Sequence, residues 1–136
     1  MKIELEHKIY LACPKLYRRK YHVSKNNGKG LMRLGVYCAD GWFELLLKVS
    51  VEIENIIREL EKEGCTEALL PYAGMIQEKY GSLRIDVCNE TNEIEKLVDE
   101  AEDSSETVCE YCGNTGELRT NRRWIKCLCS LCNEEK

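Results

Sequence analysis

The sequence has few of the residues from which catalytic sites are built. It contains only two histidines, His7 and His22, and neither belongs to a recognisable set with carboxylates. A phosphate-binding glycine loop is also lacking, because Asn27-Gly-Lys-Gly30 is not followed by the Lys-Ser/Thr pair of such loops. We therefore expect a protein that is not an enzyme.

Long apolar segments are lacking as well. No run approaches the roughly 18 residues of a membrane span. The first residues, Met-Lys-Ile-Glu-Leu-Glu, do not have the basic-then-apolar pattern of a secretory signal. Hydrophobic residues make up 43% of the 136 positions, which is enough for one modest core. These features predict a cytoplasmic protein that does not contact a membrane.

Cysteine, in contrast, is abundant. Nine cysteines, an odd number without a secretory signal, favour metal binding in a reducing compartment over disulfides. Two Cys-x-x-Cys pairs typical of a tetrahedral zinc site are formed by Cys109, Cys112, Cys129 and Cys132. Each pair is followed by a residue that easily adopts a left-handed backbone, Gly113 or Asn133. Four thiolates leave no open coordination position, so we predict a structural Zn²⁺.

Other uses of the cysteines are less favoured by the sequence. A redox Cys-x-x-Cys motif is disfavoured because two pairs face each other without a βαβ context. An iron–sulfur cluster is disfavoured because a glycine follows the knuckle, which is the pattern of zinc sites. Cys127 is predicted to be a fifth, non-ligating thiol. The remaining cysteines have no paired spacing and are expected to be small buried apolar residues: Cys13, Cys38, Cys65 and Cys88.

The net charge of −4 conceals an uneven distribution. Residues 1–37 carry +7, residues 38–103 carry −11, and residues 104–136 are neutral. A basic N-terminal arm on an acidic body suggests an anionic partner for the arm. The alternative is that the two segments complement each other within one fold.

Hydrophobic spacing predicts two amphipathic helices. The first, about 41–63, has Asp40 as its N-cap, Gly64 as its stop, and Glu54 among the residues outside the apolar face. The second spans roughly 91–104. Their apolar faces are Leu46, Val49, Ile53, Ile56, Ile57 and Leu60, and Ile94, Leu97, Val98 and Ala101.

The sequence also predicts extended segments. Leu83, Ile85 and Val87 alternate with polar residues, as in a half-buried strand, and Gly81 marks a turn from a preceding strand at 75–79, where a short helix is the alternative. The run 31–37 is predicted to be extended. Asn27-Gly28 is a predicted turn, and any first helix should end before Cys13 because Pro14 follows it.

Between the cysteine pairs, residues 117–119 and 124–126 are predicted to pair as a β-hairpin around 120–123, which gives a zinc ribbon. Its basic and aromatic side chains could contact phosphates and stack on a base: Arg119, Arg122, Arg123, Trp124 and Lys126. The alternative for Trp124 is that it forms the small core of the ribbon.

Taken in order, these motifs resemble a family of small bacterial, prophage and bacteriophage proteins. The similarity covers about residues 31–132, and its motifs are Cys38-x-Asp-Gly-Trp42-Phe-Glu-Leu-Leu46, Glu78-Lys79-Tyr80-Gly81-x-Leu83-Arg84, Ala101-Glu102-x-Ser104, Cys109-Glu-x-Cys112-Gly-x-x-Gly116-x-Leu118-Arg119, Trp124-Ile-Lys and Leu128-Cys129. The last knuckle of this family usually reads Thr-Leu-Cys with a histidine three places on. Cys127 stands at the threonine and Cys132 at the histidine, which implies a Cys₄ variant with Cys127 as a non-ligand. The resemblance brings no biochemical activity, but it implies a phage or mobile-element setting.

The sequence thus predicts an α+β fold in which a small antiparallel sheet packs with two amphipathic helices, followed by a zinc ribbon. The expected division is 1–105 for the α+β domain with its basic arm and 106–136 for the ribbon. The expected function is that of a phage or prophage accessory factor that engages a host protein in the host cytoplasm, in a counter-defence or regulatory role. Its contact surface would be the acidic residues of 52–67 and 90–103. The alternative is a nucleic-acid-binding module that uses the basic arm and the ribbon hairpin.

Overall fold

The computed structural model describes residues 1–21, 23–25 and 31–134, and it describes the side chains of neither 23–25 nor 31–33. The predicted Asn27-Gly28 turn lies outside the described residues. The elements are α1 (Ile3–Ala12), β1 (Val23–Lys25), β2 (Leu31–Arg33), β3 (Val36–Tyr37), a 3₁₀ turn (Asp40–Trp42), α2 (Phe43–Lys62), a second 3₁₀ turn (Glu67–Leu69), β4 (Tyr72–Lys79), β5 (Ser82–Cys88), α3 (Asn92–Ser105), β6 (Glu117–Arg119), β7 (Lys126–Leu128) and α4 (Ser130–Glu134).

The predicted α+β class is confirmed. The central sheet has the order β3-β4-β5, with β4 and β5 antiparallel as expected and β3 added as a parallel edge strand. The turn between β4 and β5 places Tyr80 at φ 54° and Gly81 at φ 82°. Two consecutive positive φ angles are the geometry of a tight hairpin turn. Residues 75–79 lie in β4 and pair with β5, so the alternative of a short helix there is wrong.

The two predicted helices are confirmed to within two residues at each end, and their apolar faces form the core. The fully enclosed side chains of this core include Ile53 and Ile57 of α2 and Ile94 of α3, together with Trp42 before α2 and Ile76 of the sheet. Thr91 begins α3 by accepting a hydrogen bond from the Ile94 N–H at 3.2 Å. Both helices therefore lie where their hydrophobic periodicity predicts.

Two polar residues of this region behave differently from the prediction. Asp40 does not cap α2; its Oδ1 accepts from the backbone N–H of Lys2 at 2.8 Å instead. Glu54 is buried, and its carboxylate accepts from the backbone N–H groups of Leu16 at 2.8 Å and Lys15 at 3.2 Å. The cause in both cases is a segment distant in sequence, which offers unpaired N–H donors to the carboxylate.

Part of the basic arm is used within the fold. The Arg18 guanidinium donates to the carbonyl oxygens of Leu70 at 2.7 Å and Pro71 at 2.6 Å, and Lys15 Nζ pairs with Glu61 at 2.8 Å. The Lys15–Glu61 pair supports the alternative in which the basic and acidic segments complement each other. No helix in the described ranges is both long and apolar enough to cross a membrane.

Candidate metal centre

The structure brings the four predicted ligands together. One sulfur from each of Cys109, Cys112, Cys129 and Cys132 lies within 4.8 Å of the others, and the Sγ atoms of Cys112 and Cys129 are 3.6 Å apart. A tetrahedral zinc site with Zn–S bonds of about 2.3 Å separates its sulfur atoms by about 3.8 Å. The cluster can therefore bind a metal ion, and its donor set fits tetrahedral zinc with no position left for water.

The two knuckles are built differently. In the first, Gly113 has φ 83° and its N–H donates to the Cys109 carbonyl at 2.9 Å, which is the predicted left-handed turn. In the second, the prediction of a left-handed Asn133 is wrong. Asn133 lies in α4 and donates its N–H to the Cys129 carbonyl at 3.0 Å, so a helical turn brings Cys129 and Cys132 together.

Backbone groups around Cys109 favour a thiolate. Its side chain is fully buried, and burial alone would raise its pKa. The hydrogen bonds from the backbone of Cys129, Cys112 and Tyr111 outweigh burial and lower this pKa to about 6. The pKa of Cys132 is raised, by burial and by its sulfur neighbours. Metal binding to such a cluster releases protons from the thiols, because the ligand is the thiolate.

The remaining cysteines are not members of this cluster. Cys127 is fully buried in the hydrophobic core, and burial, followed by the charge of Cys109, raises its pKa to about 11. Cys13 and Cys38 are buried, and burial raises the pKa of each to about 12. Cys65 and Cys88 are only half-buried. The expectation of buried residues is therefore confirmed for Cys13 and Cys38 and is wrong for Cys65 and Cys88.

The metal-binding segment is joined to the rest of the protein by the turn that precedes α2. The Gly41 N–H donates to the Glu110 carbonyl at 2.7 Å, and the Trp42 indole N–H donates to the Val108 carbonyl at 2.8 Å. Below, "the body" means residues 1–105 and "the ribbon" means residues 106–134. The division at 105/106 stays a prediction, and the contacts across it are buried and specific.

A partly buried ion triad crosses the same boundary. Lys126 Nζ lies 3.1 Å from Glu110 Oε1 and 3.2 Å from Glu78 Oε1. The other carboxylate oxygens accept backbone N–H groups, with Ala39 donating to Glu110 at 3.0 Å and Gly81 to Glu78 at 2.8 Å. Glu110 is nearly inaccessible, whereas Lys126 retains 20% exposure of its side chain. Such a triad is stable only when all of its members are present.

Replacing Lys126 with methionine is therefore expected to destabilise the protein by about 2 kcal/mol, since it leaves two partly buried carboxylates unpaired. Urea unfolding measures this loss. Lys62→Met is the matched control, because Lys62 pairs with Glu59 on an exposed surface and should change stability by less than about 0.5 kcal/mol. Equal effects of the two substitutions would contradict this role for the triad.

The triad also has a pH dependence. Burial lowers the pKa of Lys126, but Glu110 and then Glu78 outweigh burial and raise the pKa above its ordinary value of 10.5. A raised lysine pKa contributes stability below the unfolded value, and that contribution is lost as the pH rises through the folded value. Lys126→Met should therefore show a smaller fall in stability above pH 10.5 than the natural protein.

The ribbon hairpin is shifted from its predicted register. Glu117 pairs with Leu128 and Arg119 with Lys126, so the second strand is Lys126–Leu128 and the prediction of a strand at 124–126 is wrong. The shift follows from the core, because it buries Cys127 and Leu128. It leaves residues 120–125 as the connection between β6 and β7, called "the ribbon tip" below.

The shift also divides the predicted nucleic-acid contacts. Arg119 donates to the Leu128 carbonyl at 3.0 Å and pairs with Glu117, while Lys126 belongs to the triad. Both side chains are thus engaged within the fold. Arg122, Arg123 and Trp124 lie at the ribbon tip, and Trp124 is 69% exposed, so its alternative role as the ribbon core is wrong.

Sequence reasoning did not identify Gly41, Glu78 and Glu110 as contributors to this centre. Each acts through a contact between segments more than 30 residues apart, which no local pattern encodes. Comparisons with protein-family models, with curated proteins and with solved structures found no match to this chain.

Proposed function

We propose that this protein is a zinc-stabilised binding protein without catalytic activity, in which Cys109, Cys112, Cys129 and Cys132 hold Zn²⁺. The observation that carries the proposal is the cluster of four sulfur atoms, which completes a tetrahedral shell. A shell of four thiolates has no position for a substrate or an activated water. The metal then serves to hold the ribbon against the body.

The partner proposed for the body is a host protein with a basic surface. Exposed carboxylates gather on one side of α3 and on the neighbouring end of β5. Burial, followed by the charges of Glu95, Asp86, Asp99 and Glu102, raises the pKa of Glu90. Among the described residues, Glu102 is the member of this group that forms an ion pair, with Arg84 at 3.9 Å. Concentrated negative charge of this kind attracts a basic partner.

The proposed setting is the host cytoplasm, where the protein acts as a phage or prophage accessory factor. The motif resemblance and the small size of the chain support this setting. A partner with a basic surface is compatible with either a counter-defence role or a regulatory role. Host proteins that bind nucleic acid often have such surfaces.

A charge-reversal capture experiment tests the proposed surface. Glu95→Lys with Asp99→Lys should lower recovery of the partner from host lysate about tenfold or more, because the new lysines and the basic surface of the partner carry like charges, which repel. Raising the salt should lower recovery by the natural protein as well.

Glu4→Lys with Glu134→Lys is the matched control. This variant has the same net charge as the test variant, because each replaces two carboxylates with two lysines. Both control residues are exposed and lie outside α2 and α3, so the partner should be recovered normally. The proposal fails if the natural protein recovers no specific partner, or if both charge variants recover it equally well.

The alternative function, nucleic-acid binding, is supported by a narrower set of residues than the sequence predicts. Lys15 and Arg18 of the arm, like Arg119 and Lys126 of the hairpin, are engaged within the fold. The observation that favours this function is the exposed Trp124 at the ribbon tip.

A further inference from the structure

The two tryptophans of this protein have opposite environments. Trp42 is completely buried and hydrogen-bonded through its indole N–H, whereas Trp124 is 69% exposed. Exposing a large ring forgoes the free energy that burial would supply. A short loop that presents tryptophan to solvent therefore has the composition of a contact surface rather than that of a core.

The charges around Trp124 are positive. The stretch 119–126 contains four cationic residues and no carboxylate. Two of the four are engaged inside the fold, as described above. The other two directly precede Trp124. The Arg123 guanidinium carbon lies 5.8 Å from the ring centroid, and Arg122 donates to the Asn133 side-chain oxygen at 3.4 Å.

An open cleft of about 380 Å³ adjoins the ring and is lined by Asn121, Arg122, Arg123, Trp124 and Asn133. This volume is within the range of about 300–1,000 Å³ for small-ligand sites. The lining combines a ring face, two guanidinium groups and two amides. A π-face, positive charge and paired donors and acceptors are the groups that recognise a base, a phosphate and a base edge.

We infer that the ribbon tip binds single-stranded nucleic acid, with a base stacked on Trp124 and the adjacent phosphates at Arg122 and Arg123. The nucleic acid must be single-stranded, because the bases of a duplex are stacked on one another and do not offer their faces to a side chain. DNA and RNA share this chemistry, and the experiment below compares the two. The inference is independent of the acidic surface assigned to the protein partner.

Fluorescence anisotropy tests the inference with the zinc-loaded full chain. The probes are labelled single strands of about 12 nucleotides, as DNA and as RNA, and the duplex of the same sequence. Both single strands, or one of them, should bind at low salt, and the duplex should bind at least about fivefold more weakly. Trp124→Ala should lower the single-strand affinity by about fivefold or more, while Trp124→Phe should retain most of it.

The arginines are tested separately from the ring. Arg122→Gln with Arg123→Gln should weaken binding and reduce the slope of log K against log salt by about 1.4, the value for two contacts with single-strand phosphates. Lys48→Gln with Lys96→Gln is the matched control. Both lysines are exposed on the helices, and their replacement removes the same charge as the two arginine substitutions. This control should leave the slope unchanged.

Nuclear magnetic resonance locates the contact directly. The protein has two indole N–H signals, one from buried Trp42 and one from exposed Trp124. Titration with the single strand should shift the Trp124 signal and leave the Trp42 signal in place. This measurement uses the natural protein, so it does not depend on the stability of the arginine variants.

A rival role for the two arginines is to balance the negative charge of the thiolate cluster. That role predicts loss of zinc from the Arg122→Gln, Arg123→Gln protein and no dependence of binding on Trp124. The inference is overturned if neither single strand binds at low salt, if the duplex binds equally well, or if Trp124→Ala binds normally. It is also overturned if the Trp124 indole signal does not move.

Discussion

Replacing Cys112 with serine is expected to release the zinc and unfold the ribbon. Metal binding to small structural zinc sites supplies about 10–16 kcal/mol at neutral pH, and a segment of this size has too small a core to fold without it. Within the ribbon, the described hydrophobic residues that are fully buried are Cys109, Cys127 and Leu128. Because the Cys112 side chain is exposed, its replacement removes a metal ligand and little packing.

The loss should also reach the body. The Trp42 indole and the Gly41 N–H both donate to ribbon carbonyls, and unfolding the ribbon leaves these donors without partners. Thermal unfolding should therefore show a lower midpoint for the body as well as the loss of ribbon structure. Hydrogen exchange of the β6 and β7 amides reports the ribbon separately.

Cys65→Ser is the control for this prediction. Cys65 is half-buried, lies outside the cluster and has the same chemistry, so its replacement should leave zinc content unchanged. A Cys112→Ser protein with full zinc content and protected β6 and β7 amides would contradict the assignment of Cys112 as a ligand.

Replacing Gly41 with alanine is the second substitution with a large expected effect. A Cβ at this position would press against the Cys109 carbonyl oxygen and lie 2.5 Å from the carbonyl oxygen of Glu110. Both obstacles are backbone atoms held by hydrogen bonds, so they cannot rotate away. Overpacking of about 1–3 kcal/mol, added to a weakened Gly41 hydrogen bond of about 1 kcal/mol, predicts a loss near 3 kcal/mol.

Gly35→Ala is the matched control, because a Cβ there would meet ordinary contacts at 3.7 Å or more. It should change the free energy of unfolding by less than about 1 kcal/mol. Urea unfolding of the two zinc-loaded variants gives the comparison. Equal stability of both variants would show that the turn before α2 does not dock closely on the ribbon.

The features predicted correctly are those that depend on local pattern. The hydrophobic period of 3.6 residues places α2 and α3, alternation places β5, and cysteine spacing selects the four residues whose sulfurs come together. Each of these signals is contained within a few neighbouring residues or, for the cysteines, within two short knuckles.

The features missed depend on contacts between distant segments. Glu54 has the sequence context of a solvated carboxylate, yet the N–H groups of Lys15 and Leu16 draw it into the interior. The hairpin register is decided by burial of Cys127 and Leu128, which exposes Trp124. Local propensity does not contain this information, because the competing arrangements differ only in their long-range packing.

Four cysteines of the ribbon are expected to bind one structural zinc ion. Native mass spectrometry of protein purified under reducing conditions tests this expectation most directly. The expected result is one Zn²⁺ per chain in the natural protein and in Cys65→Ser, and none in Cys112→Ser. A chain that carries no metal, that carries an iron–sulfur cluster, or that keeps its zinc after Cys112 is replaced would contradict the account.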